Sequence, residues 1–198
     1  FRSLVGQFKN VRVIQREYDG DASQWQYALT QTEISTPWVL AMDADWVSDD
    51  AFRKELASLE PDEATSAYLI SFDYRVYGAV IRGSQYPPVP ALFRRDRGGY
   101  IQVGHGHRIH VEGPIQNLRQ RLVHDDRKSL KRWLWSQGRY AELEARYLLN
   151  ASWQSLSLSH KLRRAGVIMP WLAPLYSLVV RGGVLSGRAG LEIGRAHV

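Results

Sequence analysis

The apolar run Trp38-Val39-Leu40-Ala41-Met42 ends abruptly in Asp43-Ala44-Asp45-Trp46, which sets two carboxylates one residue apart. Such a run reads as a buried strand delivering acidic groups at its carboxyl end, where ligands bind in open α/β sheets. Buried carboxylates are costly unless their charge is compensated, and hard divalent cations with oxygen ligands are the usual compensation. The chemistry implied is a Mg²⁺ or Mn²⁺ ion held against a phosphorylated substrate. The same residues also fit a strand running into a turn whose Asp side chains cap the next helix, since Asp is common in both settings.

Whatever these carboxylates do, one ordinary globular domain must position them. The 198 residues are 44% hydrophobic and 23% charged, close to average composition and enough for a sizeable core. The absence of Cys excludes a disulfide framework, a zinc-thiolate site and a thiol nucleophile. A net charge of +6 and a pI near 9.7 favour anionic partners without choosing among nucleotide diphosphates, anionic lipid and nucleic acid. Residues 11–15 read as a short β-branched strand, and Asp21 with Gln24 reads as a capping box opening a helix whose apolar face is Trp25, Ala28 and Leu29. A turn at Thr36-Pro37 enters the Trp38 strand, and Ser48-Asp49-Asp50 caps a helix carrying Phe52, Leu56 and Leu59. This strand and helix alternation predicts parallel strands with helical crossovers.

In the middle of the chain Tyr68, Ile70, Phe72, Tyr74 and Val76 alternate with more polar residues, as do Ile109 and Val111, predicting half-exposed, antiparallel strands. Residues 86–90, with three prolines, must be extended or a loop. A helix is predicted over 129–149 with Leu130, Trp133, Leu134, Tyr140, Leu143, Tyr147 and Leu148 on one stripe and with Trp133 and Trp135 packed. Further on, Lys161, Arg163 and Arg164 precede the uncharged stretch 167–180, which is too short and too proline-broken to span a bilayer. It suits either a membrane interface or a hydrophobic hairpin closing the domain.

Taken in order, these pieces resemble the family-2 glycosyltransferases, especially the lipopolysaccharide-core and surface-polysaccharide branch. Gln24-Trp25-Gln26-Tyr27-Ala28-Leu29 is similar to that family's Gln-Trp-Asn-x-Ala-Leu helix start, and 38–46 to its Trp-Val-Leu-x-x-Asp-Ala-Asp-Glu. Leu92-Phe93-Arg94-Arg95 is similar to its Arg-Leu-Phe-Arg-Arg, and His124 with Ser129-Leu130 to the His that precedes its last helix. The resemblance, which covers roughly residues 11–147, implies an α/β, Rossmann-like GT-A fold over residues 1–150, incomplete at its start; beyond it, residues 151–191 are expected to form a C-terminal helical segment suited to a membrane interface. It also implies a nucleotide-sugar donor, a glycan or lipid-linked acceptor, inversion at the anomeric carbon, and work in the cytoplasm at the inner face of a bacterial cytoplasmic membrane. By carry-over, Asp43 contacts the donor ribose or the metal shell, Asp45 coordinates Mg²⁺ or Mn²⁺, and His124 completes that shell. Gln24 is placed at the donor by the same likeness. Arg94, Arg95, Arg127 and Lys128 become candidates to stabilise the departing diphosphate, with solvated surface as their other reading.

The chain departs from the family in two places. Where relatives carry a His-Glu pair before a Val-x-x-Gly strand, residues 104–113 read Gly-His-Gly-His-Arg-Ile-His-Val-Glu-Gly, and counting back from Gly113 puts His107 at the Glu position. Its unperturbed pKa near ~6.5 suits a general base, with Asp125 as the alternative. Three His residues also raise a metal site, yet His110 is out of phase with His105 and His107 on a strand, so that site needs a bulge. Second, family members begin with strands that hold the nucleobase. The expectation is that the true start lies before Phe1, that residues 1–8 are the remnant of a helix, and that donor binding suffers. Residues 192–198 match the translation of a common sequencing adapter and are expected to be an artefact. Two rivals remain open. One is a Mg²⁺-dependent nucleotidyl or phosphoryl transferase using the same two Asp residues. The other is a basic nucleic-acid-binding module, disfavoured because the aromatics fall on apolar faces and the cations are scattered.

Overall fold

A computed structural model describes residues 5–76, 78–80, 86–103, 106–166, 171–172 and 175–180. It shows a mixed α/β architecture. Helix α1 (Asp21–Gln31) precedes β1 (Trp38–Leu40) and β2 (Trp46–Val47), and α2 (Asp50–Ala57) leads to the long strand β3 (Ala67–Val76). Then come β4 (Ala79–Val80), β5 (Val89–Arg94), β6 (Gly98–Val103), β7 (Gly106–Val111) and β8 (Ile115–Asp126), followed by α3 (Leu130–Asn150) and α4 (Leu158–Ala165).

Six strands form one sheet in the order β1-β5-β3-β8-β2, with β4 paired to β3, while β6 and β7 form a separate hairpin. Only β3 and β8 run parallel among the described strands; β1 pairs antiparallel with β5, β5 with β3, and β2 with β8. The expected series of parallel crossovers is therefore corrected to a mixed sheet. Periodicity marks which residues are strands, whereas partner and direction depend on distant segments. β3 is also central rather than half-exposed: Tyr68, Ile70 and Phe72 are buried on one face and Ala67 on the other, because β5 and β8 flank it on both edges.

Local capping chemistry is clear. The Asp49 carboxylate accepts from Phe52 N at 2.8 Å and starts α2, and Ser129 Oγ accepts from Arg132 N and starts α3. At α1 the cap falls on Gly20 instead of Asp21, because the chain enters the helix there at φ 141°, a conformation that only glycine adopts cheaply. The capping box is thus absent; Asp21 accepts from the Tyr18 hydroxyl, and Gln24 Nε2 donates to the Glu17 carbonyl. Residues 11–15 form no strand. Val11, Val13 and Ile14 stand about half exposed, and no described strand pairs with them, so β propensity alone builds no ladder there.

Phe52, Ile70, Leu92 and Leu122 form the main core under α2, and Leu29, Ala41, Ala67 and Phe93 a second one under α1. Truncating Phe52, which is 1% exposed, costs about 3–5 kcal/mol on general grounds. Gly98 is required by packing, because a Cβ there would sit 2.2 Å from the Phe93 ring. Helix α3 packs on α4, and Leu134 and Trp135 stand exposed, which corrects the expectation that Trp135 is packed. The side chain of Trp133, His105, residues 192–198 and residues 167–170 and 173–174 of the apolar stretch lie outside the described residues.

Candidate active site

Because β1, β3 and β8 run in the same direction, their carboxyl ends meet at one edge of the sheet. Asp43 leaves β1 there, and the turn to β2 carries Asp45 back against the end of β8, where Trp46 pairs with His124. Asp125 N donates to the Asp45 carbonyl at 2.9 Å and Trp46 N to the Asp43 carbonyl at 3.1 Å, so backbone hydrogen bonds fix both acidic residues.

His124 Nε2 lies 3.3 Å from Asp45 Oδ2, and Lys128 Nζ lies 3.9 Å from the same oxygen. The hydrogen bond from His124, outweighing burial, holds the Asp45 carboxyl below its ordinary value. Asp43 is perturbed in the opposite direction, raised first by burial and then by the neighbouring Asp45 charge, against the pull of His107 and His124. Two adjacent carboxylates whose pKa values are pushed apart form a site that gains from an added cation.

His107 stands on β7 facing this cluster, with Trp25 at 5.7 Å and Tyr100 at 5.5 Å between ring centroids. Burial lowers its pKa while Asp43 raises it in part, so the imidazole is neutral at pH 7. His107 shares a face with Ile109 and Val111, and His110 is exposed on the other face, as the strand phase requires. Helix α1 secures this hairpin: Trp25 stacks on Tyr100 at 5.5 Å, and Gln26 Oε1 accepts from Tyr100 N at 2.9 Å.

The structure assigns other work to several expected site residues. Asp125 is buried and its Oδ2 accepts from Arg127 Nε at 2.7 Å, with Arg127 Nη2 also 2.7 Å away, so its carboxylate is already engaged. Arg127 and Lys128 do reach the site, lining an open cleft of ≈ 700 Å³ together with Asp45, Asp126 and Arg132. Arg94 and Arg95 do not. Arg94 is paired with Trp38 at the start of β1, and from there to Asp43 the chain advances on the order of 17 Å at strand pitch. Arg94 donates to the carbonyls of Thr65 and Asp62, both at 2.9 Å, and lies over the Trp38 ring. Gln24, committed to the Glu17 carbonyl, serves the start of α1.

Three groups at the site escaped the sequence reading. Tyr74 donates to Asp126 Oδ2 at 3.0 Å, Lys128 Nζ lies 3.4 Å from Asp126 Oδ1, and Tyr86 packs edge-on against His124 at 4.7 Å. Burial and the nearby Asp43 and Asp45 charges push the Tyr86 hydroxyl up to about 12. The Asp125-Asp126 pair, closing an alternating strand as Asp43 and Asp45 close theirs, was the available signal.

Among the described residues no group of three or more His, Asp or Glu side chains converges as a metal cage. His124 stands beside Asp45, its Nε2 3.3 Å from the Asp45 carboxylate, and in this structure it serves as that carboxylate's hydrogen-bond partner. The remaining donor set, Asp43 and Asp45, fits a Mg²⁺-type ion bound by one or two carboxylates plus substrate phosphates. Compared with known protein families, curated proteins and solved structures, the chain matches none.

Proposed function

We propose that this chain is an inverting, divalent-metal-dependent glycosyltransferase of the GT-A type, moving a sugar from a nucleotide-diphosphate donor to a cell-envelope glycan or lipid-linked acceptor. The observation that carries the reading is the pair Asp43 and Asp45, one residue apart beyond the carboxyl end of β1, with His124 Nε2 3.3 Å from Asp45 and the two carboxyls perturbed in opposite directions. The ordered motifs from Gln24 to Leu130 support it, and so does the open cleft beside Asp45.

Asp43 and Asp45 would hold Mg²⁺ or Mn²⁺, which when bound supplies charge neutralisation for a departing diphosphate. Lys128 and Arg127 add positive charge at the same cleft. His107, neutral and next to Asp43, takes the proton from the acceptor hydroxyl as its oxygen bonds to the anomeric carbon and the bond from that carbon to the diphosphate breaks. Trp25 and Tyr100 restrict the imidazole, which keeps the base oriented. No described helix is long and apolar enough to cross a membrane.

The test is incubation of the chain with Mn²⁺ and a panel of nucleotide sugars. Release of nucleoside diphosphate above the rate without protein is expected, slow because the sequence leads one to expect weakened donor binding. Release of pyrophosphate would reassign the same carboxylates to nucleotidyl transfer, and metal-independent, salt-sensitive binding of oligonucleotides without either product would remove the enzymatic reading.

A further inference from the structure

Between Glu144 and Glu192 the chain contains no Asp or Glu, although it carries Lys161, Arg163 and Arg164 within four positions. Helix α4 sorts these charges. Arg163 Nη1 lies 3.2 Å from Glu144 and His160 Nε2 lies 3.8 Å from it, so both face α3 and anchor the helix. The outward side holds Leu158, Leu162 and Ala165 at i, i+4 and i+7, with Leu158 74% exposed and Leu162 37% exposed. Lys161 borders this stripe, and Lys161 and Arg164 both lie over the ring of Trp153, which is itself 54% exposed.

An apolar helical stripe and an open indole ring, bordered by cations and free of carboxylates, is the composition of a surface that rests in a lipid interface. Leucine enters the acyl boundary, Trp sits at headgroup depth, and the cations meet anionic headgroups. The chain continues in the same character, with Trp171, Leu172, Leu175, Tyr176, Val179 and Val180 all exposed. We infer that the outer face of α4 together with Trp153 is a docking surface for an anionic membrane. This inference stands independently of the catalytic reading.

The experiment is co-sedimentation of the intact chain with phosphatidylcholine vesicles, with and without phosphatidylglycerol, at low and high salt. Binding only to the anionic vesicles, weakened by salt, is the expected result. The double variant Lys161→Glu, Arg164→Glu should weaken it on the order of tenfold or more, since each cation near a charged surface contributes severalfold. Arg164 also donates to the Ala151 carbonyl, so Leu158→Glu provides a second variant that breaks no described bond and should weaken binding too. Equal binding to neutral vesicles, wild-type binding by both variants, or self-association that Leu158→Glu abolishes while vesicles are ignored would each overturn the inference.

Discussion

At the sheet end where β5 leaves for β6, Arg94 donates to two carbonyls, Arg97 donates to Ala64 O and Ser66 Oγ, and Asp62 Oδ1 accepts from Thr65 N at 2.6 Å. At the opposite end the Asp45 charge acts on the half-buried Asp43, and His124 Nδ1 is buried without a partner among the described residues. Both ends are rich in charge. The first set is arranged as a lock, each cation closing a turn, and the second is arranged so that further charge lowers its energy. Charge at a strand end is therefore not in itself a sign of function; unsatisfied charge is the sign.

The comparison breaks most readily at Asp45. Replacing it with Asn should reduce metal-dependent turnover by at least ~10²-fold, the scale of losing one preorganised electrostatic partner, and should abolish saturable Mn²⁺ binding measured by calorimetry. Near-wild-type Mn²⁺ affinity in that variant would show that the acidic edge is as structural as the Arg94 edge. Next in size is His107→Ala, expected to lower turnover roughly 10²-fold with little change in donor affinity, because a base acts on the acceptor proton in the transition state. Should Asp125→Asn show that pattern and His107→Ala not, the base is Asp125 and its pairing with Arg127 must open during the reaction.

The lock end should respond in the opposite currency. Arg94→Ala removes a guanidinium that donates to two carbonyls and covers Trp38, and a loss of about 2–3 kcal/mol in denaturant unfolding is expected while Mn²⁺ affinity stays unchanged. A variant that unfolds normally but loses metal binding would mean that the two ends communicate and that the contrast is false.

How far these roles could be read from sequence follows the range of the interactions involved. The caps Asp49 and Ser129 act within three residues, and the acidic turn after Met42 is local too, so spacing reveals them. The phase difference between His107 and His110 is a property of one strand. By contrast, Arg94 and Arg127 look alike as Arg residues after a strand, and only the fold shows that one reaches the Thr65 turn and the other the cleft. Tyr74 and Tyr86 enter the site from β3 and the segment before β5, and nothing local marks them. Residues 11–15 have the composition of a strand, yet a strand is a relation between segments and the partner is not encoded in its own residues.

The smallest expected effect is in the pH dependence of stability, and it separates three of the perturbed groups at the acidic edge, Asp43, Asp45 and His107. Asp43 has a raised folded-state pKa, so the folded chain binds its proton more tightly than the unfolded chain does. Its contribution is fully present below the ordinary 3.8 and is lost as pH rises through the folded value. Asp45, lowered, does the reverse: its contribution is present above 3.8 and disappears as pH falls through the folded value. His107 is lowered from 6.5, so between its folded value and 6.5 the unfolded chain holds more protons and stability rises with pH. From 3.8 up to its folded value Asp43 tilts the curve downward with rising pH, and from its folded value up to 6.5 His107 tilts it upward. Asp43→Asn should remove the fall that begins at 3.8, and His107→Gln the rise that ends at 6.5, both read from urea midpoints at successive pH values. Parallel curves for wild type and both variants would show that neither group changes its protonation on folding, and the acidic edge would then differ from the Arg94 edge in position alone.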